Sequence, residues 1–393
     1  MSRCCIASIA SLVFLIPCQA AEPLFEKVDL FEGGKDGYVL YRIPGIVVTK
    51  SGTVIAYCEA RKNSGSDWDH IDILLRRSTD GGKTWLPRQK LVELDGKFER
   101  NPIAVARKFA KPGEIALNNP VAFTDHKTGA VHFLYCVDYG RCFYLKSDDD
   151  GQTFTKPVEI TATFDKFRPD YDWKVLATGP GHGIQLANGR LLVPAWLSTG
   201  TGGNAHRPSV VSVIFSDDHG KTWQRGDIVA REEDVANPSE TVPVELSDGR
   251  VMLNIRTEAK QLLRSVSISA DGATKWSKLK FDEGLPEPVC MGSIIRVPGA
   301  KNRIVFVNPN NPTGRERKNV SARISYDDAK TWPTVKTIEA GPSGYSDLAV
   351  AKDGTILCLY ERGAGKDMYR TRYLTVARFN LEWLTDGKDR QAP

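Results

Sequence analysis

An eight-residue pattern, Ser-x-Asp-x-Gly-x-Thr-Trp, is repeated along the chain. Its clearest copies begin at Ser78, Ser147 and Ser216, a looser copy begins at Ser269, and a copy without the glycine begins at Ser325. The copies start 69, 69, 53 and 56 residues apart. Self-similarity at long, nearly regular spacing indicates an array of similar structural units.

Each residue type in this pattern, which we call the Asp box, suits a tight turn. Ser and Asp side chains accept hydrogen bonds from backbone N–H groups a few residues on, and glycine supplies a positive φ. The aromatic residue at the end gives the turn an apolar anchor. The box therefore predicts a turn that stabilises the fold and not an active site.

Six strand–turn–strand units follow residue 44, each with β-branched and apolar residues on both sides of a turn that contains or lies near glycine. The predicted hairpins cover residues 45–57, 120–136, 183–196, 241–255, 293–307 and 346–360. A third strand follows each hairpin, at residues 71–77, 142–146, 210–215, 263–268, 320–324 and 373–379, and the first five end at an Asp box. No helical period of useful length is present.

Six antiparallel sheets in series predict an all-β fold, a six-bladed β-propeller of four-stranded antiparallel blades with Asp-box turns. Residues 24–40 have no unit of their own and are expected to supply the strand that closes the ring. No Pro/Gly-rich linker divides the chain, so residues 21–393 are predicted to form a single catalytic domain.

The first twenty residues differ from the rest of the chain. One arginine, Arg3, precedes an apolar run that ends at Pro17 and is followed by Cys18-Gln19-Ala20-Ala21. This predicts a cleaved secretory signal over residues 1–20, too short to span a membrane, and a secreted or periplasmic protein. Lipid attachment at Cys18 is the alternative, although Pro17 fits such a site poorly.

Composition excludes several kinds of partner. The formal net charge is +5 and falls to +4 without the signal, with no basic stripe, so no nucleic-acid partner is expected. The five cysteines after the signal are widely spaced, without a C-x-x-C pair, and the six histidines show no ligand spacing. We therefore expect free buried cysteines, no disulfide framework, no catalytic metal and no cofactor.

The meander order of the strands places the Asp boxes on one face of the propeller. The residues that precede strand one or follow strand two lie at the opposite end of each sheet. Those positions hold four arginines, one tyrosine and several carboxylates: Arg42, Arg61, Arg256, Arg317, Tyr345, Asp67, Asp69, Asp72, Glu240 and Glu361. An arginine cluster facing a channel predicts a site for an anion, a carboxylate or a phosphate held by guanidinium groups.

With these motifs the chain resembles the exo-α-sialidases (neuraminidases) of the bacterial and lysosomal type, over about residues 25–385. The motifs that carry the resemblance are Tyr-Arg-Ile-Pro at 41–44, the Asp boxes, Glu240 sixteen residues before Arg256, Gly-Pro-Ser-Gly-Tyr-Ser at 341–346 and Tyr-Glu-Arg-Gly at 360–363. As a set they are specific, whereas Asp boxes alone also occur in propellers with other activities.

The resemblance implies a role for each residue. Arg42, Arg256 and Arg317 correspond to the triad that binds the sugar carboxylate. Tyr345 is similar to the nucleophile, Glu240 to its base and Asp67 to the general acid/base. Glu361 resembles the acid that steadies the first triad arginine, and Arg61 lies where a substrate-contacting arginine is expected. Asp69 and Asp72 are rivals to Asp67, and Arg315 and Arg323 flank Arg317.

The chemistry gives these residue types a reason. A sialoside carries a carboxylate on the carbon that is attacked, so an anionic nucleophile would be repelled, whereas a neutral tyrosine would not. An unperturbed phenol has a pKa of about 10, so Glu240 must take its proton. Asp67 would protonate the leaving oxygen and then activate water, and two displacements retain the anomeric configuration.

The sequence thus predicts a retaining exo-α-sialidase that acts on sialylated glycans. A trans-sialidase, an anhydro-forming relative, an enzyme for a related sugar acid and a non-catalytic sugar-binding propeller remain as alternatives. Four further residues could contact substrate or serve only structure: His182, Trp173, Trp68 and Tyr171.

Overall fold

The computed structural model describes residues 22–93, 99–109, 111–299, 301–364 and 369–390. The predicted signal over residues 1–20 lies outside them and stays a prediction. Within the described residues the chain is all-β, with three helices of only four or five residues. The first strand, β1 (Phe25–Glu32), pairs with a strand near the other end of the chain.

The first sheet is an antiparallel meander in chain order. It comprises β2 (Leu40–Val48), β3 (Val54–Arg61), β4 (Ile71–Ser78) and β5 (Gln89–Lys90). Helix α1 (Pro102–Ala106) then leads to the second sheet. That sheet comprises β6 (Leu117–Thr124), β7 (Val131–Val137), β8 (Arg141–Ser147) and β9 (Val158–Glu159).

Helix α2 (Thr161–Asp165) leads to the third sheet, which contains five strands. They are β10 (Val175–Thr178), β12 (Ile184–Gln185), β13 (Leu191–Gly202), β14 (Arg207–Ser216) and β15 (Gln224–Arg225). Between them, β11 (Gly181–His182) pairs in parallel with β6 of the second sheet. The fourth sheet comprises β16 (Thr241–Glu245), β17 (Val251–Ile255), β18 (Leu263–Ser269) and β19 (Lys280–Pro286).

The last sheet has seven strands because two units share one long strand, β23. Besides β1, its members are β20 (Ser293–Val297), β21 (Arg303–Pro309), β22 (Lys318–Ser325), β23 (Thr334–Val350), β24 (Ile356–Ala364) and β25 (Thr371–Phe379). Helix α3 (Leu381–Leu384) follows β25. The first half of β23 pairs with β22 and its second half with β24. The sheet therefore consists of two four-stranded units, and β1 is the outermost strand of the second.

These strands match the predicted units closely. All six hairpins and all six third strands are present, and the predicted stretch 24–40 supplies β1, which completes the last unit against β25. The core lies between neighbouring sheets, because alternate residues of a strand point to opposite faces. Ile55 and Tyr57 of β3 pack toward the second sheet, whereas Ala56 and Cys58 pack toward the last.

The Asp boxes form the turns that their residues predict. In the first box, Ser78 Oγ accepts a hydrogen bond from Gly82 N–H at 2.9 Å, and Asp80 accepts bonds from the N–H and hydroxyl of Thr84. The looser copy keeps the serine bond, from Gly272 N–H to Ser269 Oγ at 3.1 Å. Each box joins the third strand of a unit to the fourth.

The fifth box places an alanine where the others have glycine, and Ala329 has a φ of +61°. Left-handed backbone costs an L-residue about 1 kcal/mol, whereas glycine adopts it freely. We expect Ala329→Gly to relieve this strain and so raise the free energy of unfolding by up to about 1 kcal/mol. The larger conformational entropy of glycine in the unfolded chain offsets part of that gain. Urea unfolding of the two proteins would measure the difference, and a destabilised variant would contradict the expectation.

A buried carboxylate joins the first strands of several units. Asp347 of β23 is fully buried and accepts hydrogen bonds from Ile46 N–H at 2.9 Å and from the Ser293 hydroxyl at 2.9 Å. His182 Nδ1 lies 2.7 Å from Asp347 Oδ1, the oxygen that also accepts the Ser293 hydrogen bond, whereas Ile46 donates to Oδ2. We call Asp347, Ile46, Ser293 and His182 the axial hub, because they come from four different sheets or units.

Five cysteines in the described part of the chain are buried and free: Cys58, Cys136, Cys142, Cys290 and Cys358. Cys136 and Cys142 face each other across β7 and β8, a pairing that their sequence separation did not suggest. In the described part of the chain, no helix has the length and apolar character needed to cross a membrane.

Candidate active site

A cavity of about 250 Å³ opens at the ends of the strands away from the Asp boxes. Six of the eight predicted site residues line it: Arg42, Asp67, Glu240, Arg256, Arg317 and Tyr345. The other two, Arg61 and Glu361, lie behind its wall and contact lining residues. The structure therefore brings together residues that are more than 300 positions apart in the sequence.

Tyr345, Glu240 and Arg256 are in direct contact with one another. The Tyr345 hydroxyl donates a hydrogen bond to Glu240 Oε1 at 2.5 Å. Arg256 Nη1 donates to the Tyr345 oxygen at 2.8 Å and also to Glu240 Oε2. Tyr345 lies where β23 bulges between Ser343 and Ser346, and a bulge re-aims a side chain out of the regular alternation.

Arg42 is held by Glu361. Its Nε donates to Glu361 Oε1 at 3.0 Å and its Nη2 donates to Oε2 at 3.3 Å. The same carboxylate accepts the backbone N–H groups of Ile43 and Tyr345, so it ties the arginine and the tyrosine to one anchor. This is the contact that the resemblance implies for Glu361.

Arg317 is arranged differently. Its guanidinium lies over the Tyr345 ring, 5.0 Å from the ring centre, and its Nη2 donates to the Val289 carbonyl at 2.7 Å. Among the described residues, no carboxylate is within ion-pair distance of Arg317, whereas Arg42 and Arg256 each have one. The three arginines therefore leave one positive charge of the site without a protein counter-charge.

The phenol of Tyr345 is neutral at ordinary pH. Burial raises its pKa well above the usual value of a tyrosine; Arg256 opposes the shift, Glu240 adds to it, and Arg317 and Arg42 also oppose it. A buried phenol that donates to a carboxylate needs that carboxylate to accept its proton before it can attack an electrophile. Glu240 is the acceptor that the geometry provides.

Asp67 faces this pair from the connection between β3 and β4. Arg61 Nη1 lies 2.8 Å from Asp67 Oδ1, and Asn204 donates to Oδ2 at 2.9 Å. Burial opposes ionisation of Asp67, but Arg61, His206 and Arg42 outweigh it and hold its pKa well below the ordinary range. The resting form of this side chain is therefore the carboxylate.

The two rivals of Asp67 have structural contacts instead. Asp69 Oδ2 accepts the backbone N–H groups of Asn63, Ser64 and Gly65, which organises the loop that carries Asp67. Asp72 accepts a hydrogen bond from the Tyr38 hydroxyl at 2.5 Å, outside the cavity. Geometry therefore separates three carboxylates that the sequence could not.

Arg61 lies under the cavity wall. It is almost fully buried, with its Nη2 2.7 Å from Glu59 Oε2 and its Nη1 bonded to the Gly65 carbonyl at 2.8 Å. Arg61 is not among the residues that line the cavity, because its guanidinium is directed to Glu59 and Asp67. Its effect on the cavity passes through Asp67.

The other residues that the sequence left open lie elsewhere. His182 lines a different cavity and belongs to the axial hub. Arg323 is buried against Asn308 and Asn310, and Arg315 donates to the Glu258 carbonyl at the rim. The aromatic candidates do not line the cavity: Trp68 and Trp173 lie in the hydrophobic core, and the partly buried Tyr171 packs against it.

The sequence interpretation missed a second group of lining residues, on the side of Asp67. They include Asn119, Tyr139, Trp196, Asn204, His206, Arg207, Ser239 and Glu258. Many of them lie at the start of a first strand or in the connection after a second strand. The arginines were located by their positions before strand one or after strand two of a unit. Applying the same criterion to every unit would have found many of these residues as well.

No cation site accompanies this cavity. Within the described ranges, no group of three or more His, Cys, Asp or Glu side chains is arranged to hold a metal ion. The polar groups of the cavity instead comprise arginines, carboxylates, a phenol and neutral donors. Such a set suits an anionic, hydroxyl-rich ligand.

Comparison with known proteins adds independent information. A family model described as a BNR repeat-like domain matches residues 99–358. A sialidase of Micromonospora viridifaciens is 32% identical over 92% of this chain and 55% of its own length, and a sialidase of Bacteroides fragilis is 30% identical over 85% and 62%. The chain thus spans less than two thirds of either relative.

Solved structures give the same fold. The Hadza microbial sialidase Hz136 aligns with a TM-score of 0.75 at 28% identity, covering 91% of this chain and 69% of its own. The intramolecular trans-sialidase from Ruminococcus gnavus, solved with oseltamivir carboxylate, aligns with a TM-score of 0.73 at 20% identity, covering 93% and 98%.

Proposed function

The chain belongs to the BNR repeat-like domain family, and we propose that it is a retaining exo-α-sialidase that releases terminal sialic acid from glycans. One observation carries this proposal: a buried tyrosine donates a 2.5 Å hydrogen bond to a carboxylate inside a cavity lined by three arginines. The similar proteins named above are sialidases, which supports the substrate class.

In the proposed reaction the arginines bind the sugar carboxylate next to Tyr345. Glu240 takes the phenol proton, and the phenolate oxygen attacks the anomeric carbon while the glycosidic C–O bond breaks. Asp67, whose resting form is the carboxylate, first takes up a proton from solvent and then gives that proton to the departing oxygen. In the second step the Asp67 carboxylate takes a proton from water, which displaces Tyr345 and returns a proton from Glu240 to the phenol.

A neutral nucleophile suits this substrate. The carboxylate of a sialoside lies on the reacting carbon, and a carboxylate nucleophile would meet it at a distance where two like charges repel strongly in a buried site. The arginines also assist, because they lower the pKa of the phenol against the effect of burial. Arg256 contacts both partners of the proton transfer.

We also propose that the six units, each with a meander of four strands, are the blades of a six-bladed propeller. β2 contacts β6 and β23, β6 contacts β12, and β12 pairs with β13. β16 contacts β13 and β20, and β20 contacts β23, so the inner strands form a series that returns to its start. The two faces of β3 pack toward the second and the last sheet, which supports the same arrangement. The cavity then lies at one mouth of the central channel.

The test of the proposed function is turnover of an α-sialoside by the purified chain, with the first product observed by proton NMR. We expect free α-sialic acid as the first anomer, because two displacements retain configuration. An anhydro sugar or a transferred sialic acid would assign the chain to one of the alternative reactions. No release between about pH 4 and pH 8 would overturn the hydrolase proposal, since that range covers ordinary acid–base catalysis.

The role of Asp67 has its own test, which uses two leaving groups. We expect Asp67→Asn to lower kcat/KM about 100-fold or more for a sialyl-galactoside, whose alkoxide needs a proton. An aryl sialoside with an acidic phenol should be affected much less at the first step. Equal losses on both substrates would contradict a general-acid role.

A further inference from the structure

A buried ion pair that the proposed mechanism does not use lies behind the anion site. Arg264 of β18 and Glu287, directly after β19, are ion-paired, and their side chains are 0% and 1% exposed. Together they bind both backbone groups of Cys290: Glu287 Oε1 accepts its N–H at 2.7 Å, and Arg264 Nη1 donates to its carbonyl at 3.1 Å. Asn254 accepts a further bond from Arg264 at 2.6 Å.

The residue before Cys290 has an unusual backbone conformation. Val289 has a φ of +59°, which a β-branched residue adopts only under strain. Among the described residues, only Ile43 shares this combination of a branched Cβ and a positive φ, and both residues line the cavity. A strained conformation persists where the surrounding contacts fix it, and here the bonds to Cys290 are those contacts.

The strained residue carries the hydrogen-bond acceptor of Arg317. The Val289 carbonyl accepts from Arg317 Nη2 at 2.7 Å, whereas Arg42 and Arg256 are held by carboxylates. A carboxylate orients a guanidinium and also neutralises it, but a neutral carbonyl only orients it. Arg317 is thus fixed in direction while its charge stays available to a ligand.

We propose that the Arg264–Glu287 pair is a positioning device, which locks Val289 in its left-handed conformation so that the carbonyl aims Arg317 at the bound carboxylate. The inference rests on the proposed function in one respect, that Arg317 binds the substrate anion. Arg264, Glu287 and Val289 act through Arg317 and do not react themselves.

Two substitutions at one position give the sharpest test. Glycine adopts a positive φ without strain, so Val289→Gly should raise KM for an aryl sialoside several times less than Val289→Pro does. Proline fixes φ near −65°, so Val289→Pro should turn the carbonyl away and raise KM about tenfold or more, the value of a hydrogen bond to a charged group. The value of kcat should change much less than KM.

A double-mutant cycle separates this route from a general disturbance of the cavity. In an Arg317→Ala background, Val289→Pro should change KM less than about twofold, because the group it positions is gone. Titration of free N-acetylneuraminic acid should show the same non-additivity in affinity. Full additivity of the two substitutions, or an unchanged KM in Val289→Pro, would overturn the proposal.

If Val289→Pro does not fold, Glu287→Gln decides the question. It keeps an acceptor for Cys290 N–H but removes the charge that pairs with Arg264, so KM should rise severalfold and the rise should vanish in the Arg317→Ala background. An unchanged KM, or a rise that persists in that background, would overturn the proposal. Turnover by the unmodified chain tests the proposed function separately.

Discussion

Replacing Tyr345 with phenylalanine should lower kcat/KM for a sialyl-galactoside by about 1000-fold or more, because loss of a nucleophile removes the reaction path itself. The substitution deletes the hydroxyl that donates to Glu240 and accepts from Arg256, and leaves the ring between Arg42 and Arg317. Steady-state kinetics with the purified variant measures the loss.

Tyr135→Phe is the matched control. Tyr135 is fully buried, lies outside the cavity wall, and its hydroxyl has no hydrogen-bond partner within the described residues. Removing an unpaired buried hydroxyl should leave activity unchanged and stability equal or higher. Full activity in Tyr345→Phe, with the control also active, would show that Tyr345 is not the nucleophile.

The second large effect concerns stability. Asp347→Ala should lower the free energy of unfolding by about 3–5 kcal/mol, because it leaves His182 without its partner and orphans two donors in the axial hub. Asp347→Asn keeps an acceptor oxygen and should therefore lower the free energy of unfolding less than Asp347→Ala does. Chemical denaturation measures both, and Asp172→Ala, at an exposed pair with Lys174, should change stability by less than about 1 kcal/mol.

The same hub predicts a pH dependence of stability. Burial lowers the pKa of His182, but Asp347 outweighs it and raises the pKa above the ordinary value. The His182–Asp347 pair therefore stabilises the fold fully at pH values below the unfolded pKa of about 6.5. This stabilisation is lost as the pH rises through the higher pKa of the folded state. His182→Gln should remove this dependence, and an unchanged pH profile would contradict the assignment.

Local signals explain why so much of the fold followed from the sequence. The Asp box, the glycine turns and the runs of β-branched residues each specify a backbone conformation within a few neighbours. The short outer strands were not predictable in the same way. β5, β9 and β15 have two residues each, and their pairing depends on the strand beside them.

The site, like the fold, was only partly predictable from the sequence. Strand order alone located Arg42, Glu240 and Tyr345 at one end of the sheets, but it could not give the direction of each side chain. The Arg61 guanidinium turns inward to Glu59, and His182, on the short strand β11 that pairs in parallel with β6, lines a different cavity. Both outcomes depend on contacts between units that are far apart in the sequence.

Loop geometry set the remaining assignments. The sequence favours Asp67 but leaves Asp69 and Asp72 as rivals. Only the folded loop directs Asp69 to three backbone N–H groups and Asp67 to the cavity. The strained Val289 left no trace in the residue pattern, since valine is typical of an ordinary strand.

The most direct test of the central claim is the identity of the residue that becomes bonded to the sugar. A 3-fluorinated sialosyl fluoride has a good leaving group and a slow second step, so the covalent intermediate should accumulate. Peptide mass mapping of the treated protein should place one added sialosyl group on Tyr345, and the adduct should be absent from Tyr345→Phe. A label on another residue, or turnover of the reagent with an inverted product and no adduct, would contradict the account.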